Sequence, residues 1–253
     1  ARMLELLETG STEESAFVRQ SILIALGRLA NSGGNGSTLE DLNKRAHAAL
    51  SRASASSPHE LTRRFALIAL ARQAGRPGDG PSPLAFLEPT EQLLLDRLDG
   101  GPRRETHWAA LALGVVGDGA RRNGPGISPG TRQRLHSALR KSKGPDEVGA
   151  IALALGMMGA AASEPLLMAK LQATSEARAK GHIALGLGLM GADGAAEPLL
   201  DALDRGHRDA RLADQLGTAL GLVAPPRTLT RLASRLESAS STSDGTTLAL
   251  AVG

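Results

Sequence analysis

Two nearly identical nonapeptides, IALALGMMG at Ile151–Gly159 and IALGLGLMG at Ile183–Gly191, lie 32 residues apart. Each leads into a second shared stretch, EPLLMAKL from Glu164 and EPLLDALD from Glu197. Self-similarity at this spacing constrains the fold more than any other feature of the chain. A unit this short cannot bury its own apolar face, so it must stack on copies of itself.

With Gly156 as the reference position, the same pattern lies on Gly27, Ala71, Gly114, Gly188, Gly221 and Gly253, at steps of 44, 43, 42, 32, 33 and 32 residues. Two residues before the reference stand Ala25, Ala69, Ala112, Ala154, Gly186, Ala219 and Ala251, all small. Immediately before it stand Leu26, Leu70, Leu113, Leu155, Leu187, Leu220 and Val252, all aliphatic. Three after it stand Ala30, Ala74, Gly117, Gly159, Gly191 and Ala224. The pattern predicts a first helix in each unit, whose small residues admit a neighbouring helix while the aliphatic residue fills the space between. Glycine costs roughly 1 kcal/mol in a helix relative to alanine, so its recurrence implies packing or termination.

A second helix is predicted in each unit, over 39–53, 90–98, 131–141, 164–172, 197–204 and 227–237. Its apolar residues fall at helical spacing, as in Leu93, Leu94 and Leu98 or Leu199, Leu200 and Leu203. Pro165 and Pro198 suit a first helical turn, where the missing N–H has no partner to lose. The expected architecture is all-α, an α-solenoid in which antiparallel helix pairs form a right-handed superhelix of about six full repeats plus a partial one. It is expected to form one domain over 1–253, with longer-looped repeats over 11–145 and compact repeats over 146–253.

The repeat lengths differ because of the crossing from first to second helix. Repeats four and five cross in four or five residues, at 160–163 and 192–196. The first three cross through Gly-, Pro- and Ser-rich stretches over 31–38, 75–89 and 118–130. Insertions at one place in a repeat emerge on one edge of a solenoid. That edge carries Arg28, Arg72, Arg76, Phe86, Arg121 and Arg122, the candidate partner-binding residues. Arginine's planar fork suits carboxylates and phosphates. Leu84, Phe86 and Leu87 are alternatively placed to fold back over the core.

Composition removes several function classes. With no Cys, disulfides, thiolate metal sites and cysteine nucleophiles are excluded. With one Trp, three Phe and no Tyr, the core must be aliphatic, and a pocket with aromatic walls is poorly supplied. The net charge of +3 is spread evenly along the chain, which argues against a dense basic stripe for nucleic acid. The six histidines form no HExxH pattern or pair at close helical spacing. His47 and His136 share one slot of their second helices, which points to packing. His107, beside Trp108, and His182 fall within first helices, and His59 and His207 near turns between repeats. No GK[ST] follows the Gly-rich stretches, and no GxSxG surrounds the serines. The expectation is that no catalytic residue, metal or cofactor is present.

The pattern ALGxxG, a short turn, then EPLLxAL resembles the HEAT repeat, particularly the short bacterial kind also found in phycobilisome-lyase-like proteins. The resemblance spans nearly the whole chain and is strongest over 146–204. It implies paired antiparallel helices in a curved superhelix that serves as a protein-binding scaffold. Members of that family often carry Arg eight residues before the reference. Arg19, Arg63 and Lys180 match it here, whereas Thr106, Val148 and Ala213 do not.

The leading expectation is a non-enzymatic scaffold that binds another protein, or another subunit of an assembly, through a concave second-helix face or the looped edge. One alternative, by resemblance, is an accessory protein of the bilin-lyase kind, which bound-chromophore absorbance would reveal. Another is a nucleic-acid phosphate binder using the loop arginines, which predicts steeply salt-dependent binding. No signal peptide or membrane span is legible, and the cytoplasm is the default expectation. The stretch LALAVG ends within a repeat motif without a polar cap, so the chain is expected to continue past Gly253 or to dock that end on another subunit.

Overall fold

The computed structural model describes residues 2–9, 16–29, 37–78, 84–124, 126–206 and 209–223. Among the described residues every regular element is helical, and the helices pack in neighbouring pairs as an α-helical repeat protein. The chain divides into two compact units, Ala1–Thr131 and Arg132–Gly253.

The first unit contains α1 (Arg2–Thr9), α2 (Ala16–Leu29), α3 (Ser37–Ser56), α4 (Glu60–Ala74), α5 (Leu87–Gly100) and α6 (Thr106–Asn123). The first helices α2, α4 and α6 stack in sequence, and the second helices α3 and α5 each pack against the first helix of the next repeat. The next helix, α7 (Pro129–Lys141), spans the division between the units. The second unit continues with α8 (Pro145–Met157), α9 (Glu164–Ala173), α10 (Ala177–Met190), α11 (Ala196–Gly206) and α12 (Ala210–Val223). It repeats the same scheme: α8, α10 and α12 stack, α9 packs on α10, and α11 on α12. The predicted helix over 227–237 and the last reference position, Gly253, lie outside the described residues.

The repeated small and aliphatic positions account for the stacking. Leu26, Leu70, Leu113, Leu155, Leu187 and Leu220 are all buried. The reference residue of one repeat faces the small residue two before the reference in the next. A Cβ on Gly27 would stand 2.7 Å from Ala69 Cα, and one on Gly188 would stand 3.0 Å from Ala219 Cα. At Gly156 the added carbon would strike the Gly186 carbonyl. Neighbouring backbones are thus too close for any larger side chain at these points.

A second register runs nearer the helix starts, seven residues before the reference in one repeat and six before it in the next. In the first unit it pairs Arg64 with the face of Trp108, at 5.7 Å from the ring centroid. In the second unit the earlier position is glycine, and the later side chain fills the space: His182 lies over Gly149 and Gln215 over Gly181.

Helix termination separates short crossings from long ones. Gly159 and Gly191, three after the reference, adopt left-handed φ of 62° and 69°. The next N–H then reaches back five residues, Ala160 to Leu155 O at 3.1 Å and Ala192 to Leu187 O at 3.2 Å. This closes the helix, and the alanine is buried in each case. In the second repeat that place is taken by Ala74, for which the left-handed region costs about 1–2 kcal/mol, and the chain leaves through Gly75 at φ −79°.

The third repeat corrects an expectation. Residues 118–130 were expected to form a loop, yet α6 continues through Asn123. Gly117 could take the left-handed turn, but the residue after it is Asp118, whose carboxylate cannot occupy the buried slot that alanine fills at 160 and 192. Instead Asp118 Oδ1 accepts from Arg121 Nη2 at 2.9 Å and Arg122 Nε at 3.0 Å, three and four residues on, which favours another turn of helix.

Two buried carboxylates tie the first unit together. Glu105, fully buried before α6, accepts from Arg63 Nε at 2.6 Å and lies 3.6 Å from Arg97 Nη1. The arginine that the repeat resemblance singled out in the second repeat is therefore part of a buried ion pair. Glu91, on α5, accepts from the Ser128 backbone N–H at 3.1 Å and from the Thr131 hydroxyl. This sets a carboxylate against the N-terminus of α7, where the helix dipole favours it.

Candidate partner-binding edge

The first helices of the first unit end together, and each ends in arginine. Arg28 lies in the last turn of α2, Arg72 in that of α4, and Arg121 and Arg122 in that of α6. Basic residues there complement the partial negative charge of a helix C-terminus, roughly half an elementary charge. That role is not demanded by the fold, because α8, α10 and α12 end with no basic residue in their last turns.

Between these ends lies an open cleft of about 430 Å³, lined by Arg28, Arg72, Arg76, Asp118, Arg122 and Asn123 together with Gly75, Val115 and Gly119. Four of the five arginines singled out in the sequence therefore share one cavity wall. The close approach that shapes its floor involves two glycines, since a Cβ on Gly119 would stand 2.5 Å from Gly75 O. Asn123 Nδ2 bridges the two helix ends, donating to Gly75 O at 3.2 Å and Gly119 O at 2.9 Å. Arg76 donates through Nη1 to the Arg28 carbonyl, joining the end of α2 to that of α4.

The guanidiniums differ in how they are engaged. Arg121 and Arg122 both hold Asp118, at 2.9 Å each, so one carboxylate answers two cations. Arg121 lies outside the cleft lining. Among the described residues the exposed Arg28 and Arg72 side chains make no ion pair. Arg28 and Arg72 leave this wall of the cleft positive, and the C-termini of the two helices that carry them offset only about half of that charge.

Phe86 is placed elsewhere. Its ring stacks on His47 of α3, centroids 4.6 Å apart and planes 20° from parallel, and it does not line the cleft. Leu84 folds back as well, onto Gly124 just beyond α6. Burial depresses the His47 pKa below the ordinary value, with Gln73 opposing it. His136, in the equivalent slot, instead bonds Ser163 Oγ through Nε2 at 2.6 Å. Burial also lowers its pKa, aided by Arg140 and Arg132.

The sequence reading did not single out the corresponding edge of the second unit. Immediately after the reference stand Met157, Leu189 and Leu222, and the last two are 47% and 50% exposed. Their position in the repeat, the same as that of Arg28 and Arg72, was the available signal. Among the described residues, no group of three or more His, Asp or Glu is placed to hold a metal ion, and no helix is long and apolar enough to cross a membrane.

No family model matches the sequence, and no curated protein matches it. Solved structures do match. The phycocyanin lyase complex of CpcE and CpcF from Nostoc sp. aligns over 98% of this chain and 93% of that one, with a TM-score of 0.55 and 17% identity. Human deoxyhypusine hydroxylase in complex with glycerol aligns over 98% of this chain and 83% of that one, with a TM-score of 0.41 and 17% identity. The first likeness agrees with the helical-repeat fold described above.

Proposed function

We propose that this chain is a non-enzymatic interaction scaffold that binds another protein along the C-terminal edge of its first helices. The observation that supports this most is the residue after the reference position. In the first unit it supplies the exposed Arg28 and Arg72, and in the second the half-exposed Leu189 and Leu222. The closest backbone approaches of the stack use other positions, the reference residue and the one two before it. Large aliphatic side chains in water, repeated at one place in the unit, suit a surface that a partner covers. A protein offers both carboxylates and apolar side chains to such surfaces, whereas a nucleic-acid backbone answers only the arginines. The phycocyanin lyase structure is itself a complex of two proteins, a precedent for this fold seated against another chain.

The test is capture of partners from native lysate by the intact chain and by two edge variants, Arg28→Glu/Arg72→Glu and Leu189→Glu/Leu222→Glu. All four side chains are exposed, so melting temperatures should change little. The expected outcome is a defined partner held by the intact chain and lost from at least one variant. A partner held equally by all three proteins would move the interface to the second-helix face.

A further inference from the structure

We propose that the cleft between the ends of α2, α4 and α6 receives acidic side chains, so that the partner presents a carboxylate-rich segment to the first unit. The inference rests on the scaffold reading and names the chemistry of its partner. The cleft already displays the recognition on its own wall. Asp118 is a carboxylate gripped by Arg121 Nη2 at 2.9 Å and by Arg122 through Nη2 at 2.9 Å and Nε at 3.0 Å. Arg28 and Arg72 offer the same planar donor forks without an ion-pair partner among the described residues.

The anchoring is asymmetric in a useful way. Arg76 is committed to the Arg28 carbonyl and Arg122 to Asp118, and these bonds fix the helix ends and the cleft wall. The guanidiniums of Arg28 and Arg72 remain to meet a ligand. A ligand carboxylate would compete there with no carboxylate of the described residues, whereas at Arg122 it would compete with Asp118. Charge balance agrees: Arg28 and Arg72 bring two charges that no carboxylate among the described residues answers, and the helix C-termini cancel part of them without reversing the sign.

Size and distribution decide between an acidic peptide and a nucleic acid. A duplex carries one charge per about 1.7 Å and asks for a basic track along its length. Here Arg28 and Arg72, without an ion pair among the described residues, sit at two helix ends lining a cleft of about 430 Å³, and the chain as a whole holds 29 Lys and Arg against 26 Asp and Glu. Such a cleft holds one or two acidic side chains and offers no continuing track for a phosphate backbone.

The experiment is fluorescence anisotropy with the full chain and two labelled probes, a hexaglutamate peptide and an oligothymidylate of equal charge. Each is titrated against the intact protein, Arg28→Ala/Arg72→Ala, and the control Lys143→Ala, an exposed basic residue of the other unit. Removing two solvent-facing, charge-assisted contacts should weaken hexaglutamate binding by about tenfold. The control should match the intact protein, and raising salt should weaken the intact protein's binding toward that of the variant. Hexaglutamate binding unchanged by Arg28→Ala/Arg72→Ala, or no binding by the intact chain, would overturn the inference. So would oligothymidylate binding more tightly than hexaglutamate with the same dependence on the two arginines. None of these outcomes touches the scaffold reading, which stands or falls on partner capture through either edge.

Discussion

The two units are built to one plan and differ in what they do at the end of each first helix. In the second unit, Gly159 and Gly191 turn left-handed, the following alanine is buried, and the chain enters the next helix after a single 3-10 turn. In the first unit, α4 and α6 run on without that turn, and arginines fill the last helical turns. A compact stop leaves aliphatic residues at the edge, and a prolonged helix leaves a basic cleft. The stacking core is common to both, so the edge can vary without disturbing it.

The sharpest way to probe that difference is through the ion pairs. In the first unit Arg63 meets a carboxylate with no solvent exposure, whereas in the second Arg178 meets Asp146 with 42% and 58% of the side chains exposed. Removing one member of a buried pair strands the other charge and costs about 3–5 kcal/mol. Arg97 remains near Glu105, so Arg63→Ala should fall at the lower end, about 3 kcal/mol, in urea unfolding. Arg178→Ala should cost less than about 1 kcal/mol. Comparable losses would mean that the first unit does not depend on its buried carboxylate.

Stacking is the property the units share, and Gly156→Ala tests it. The added methyl meets the Gly186 backbone rather than a flexible side chain, so the helices must move apart. Overpacking of this kind costs about 1–3 kcal/mol. A melting temperature equal to that of the unsubstituted protein would show that α8 and α10 can separate without loss. Gly27→Ala, facing Ala69, should cause a loss of the same sign in the first unit.

The stop signal gives a smaller effect. Gly191→Ala forces alanine into φ 69° and should cost about 1–2 kcal/mol, whereas Ala74→Gly, in a position already helical, should cost about 1 kcal/mol for the ordinary helix penalty and leave the crossing long. Crossing length is read by hydrogen-exchange protection over 75–78: new protection there, with a left-handed turn at residue 74, would show that alanine alone had kept the helix running.

Much of this was legible in the sequence, since a residue that must be small or aliphatic in every repeat leaves a periodic trace. Ala69, Gly156, Gly186 and the six buried leucines were identified by position alone. The extension of α6 was not, because Gly117 carries the stop residue and only the packing environment of the next position rejects Asp118. The retreat of Phe86 was one of two placements open in the sequence, but its partner was not legible, since His47 lies 39 residues earlier and no repeat position links them. The arginines could be listed from the sequence. Their convergence in one cleft depends on three helices ending side by side, which a linear pattern expresses only through the spacing of the reference residues.

Protonation of half-buried histidines separates the units by the smallest margin. Burial is the main cause of the low pKa of His47 in the first unit and of His182 in the second, where Arg178 and Arg211 add repulsion that Asp146 and Glu176 partly offset. A histidine whose folded pKa lies below its unfolded value binds its proton more tightly when unfolded. Its contribution is intact above the ordinary value of 6.5 and is lost as pH falls from there through the folded pKa. The melting temperature of the intact chain should therefore decline on acidification below 6.5, in a range where carboxylates are still ionised. His47→Gln and His182→Gln should each flatten part of that decline. Because the arginines around His182 sit on first helices of the compact unit, Arg178→Ala should also flatten it, while leaving the share due to His47 unchanged. If Arg178→Ala steepened the decline, the link between cationic neighbours and the His182 pKa would be broken, and burial alone would have to account for it.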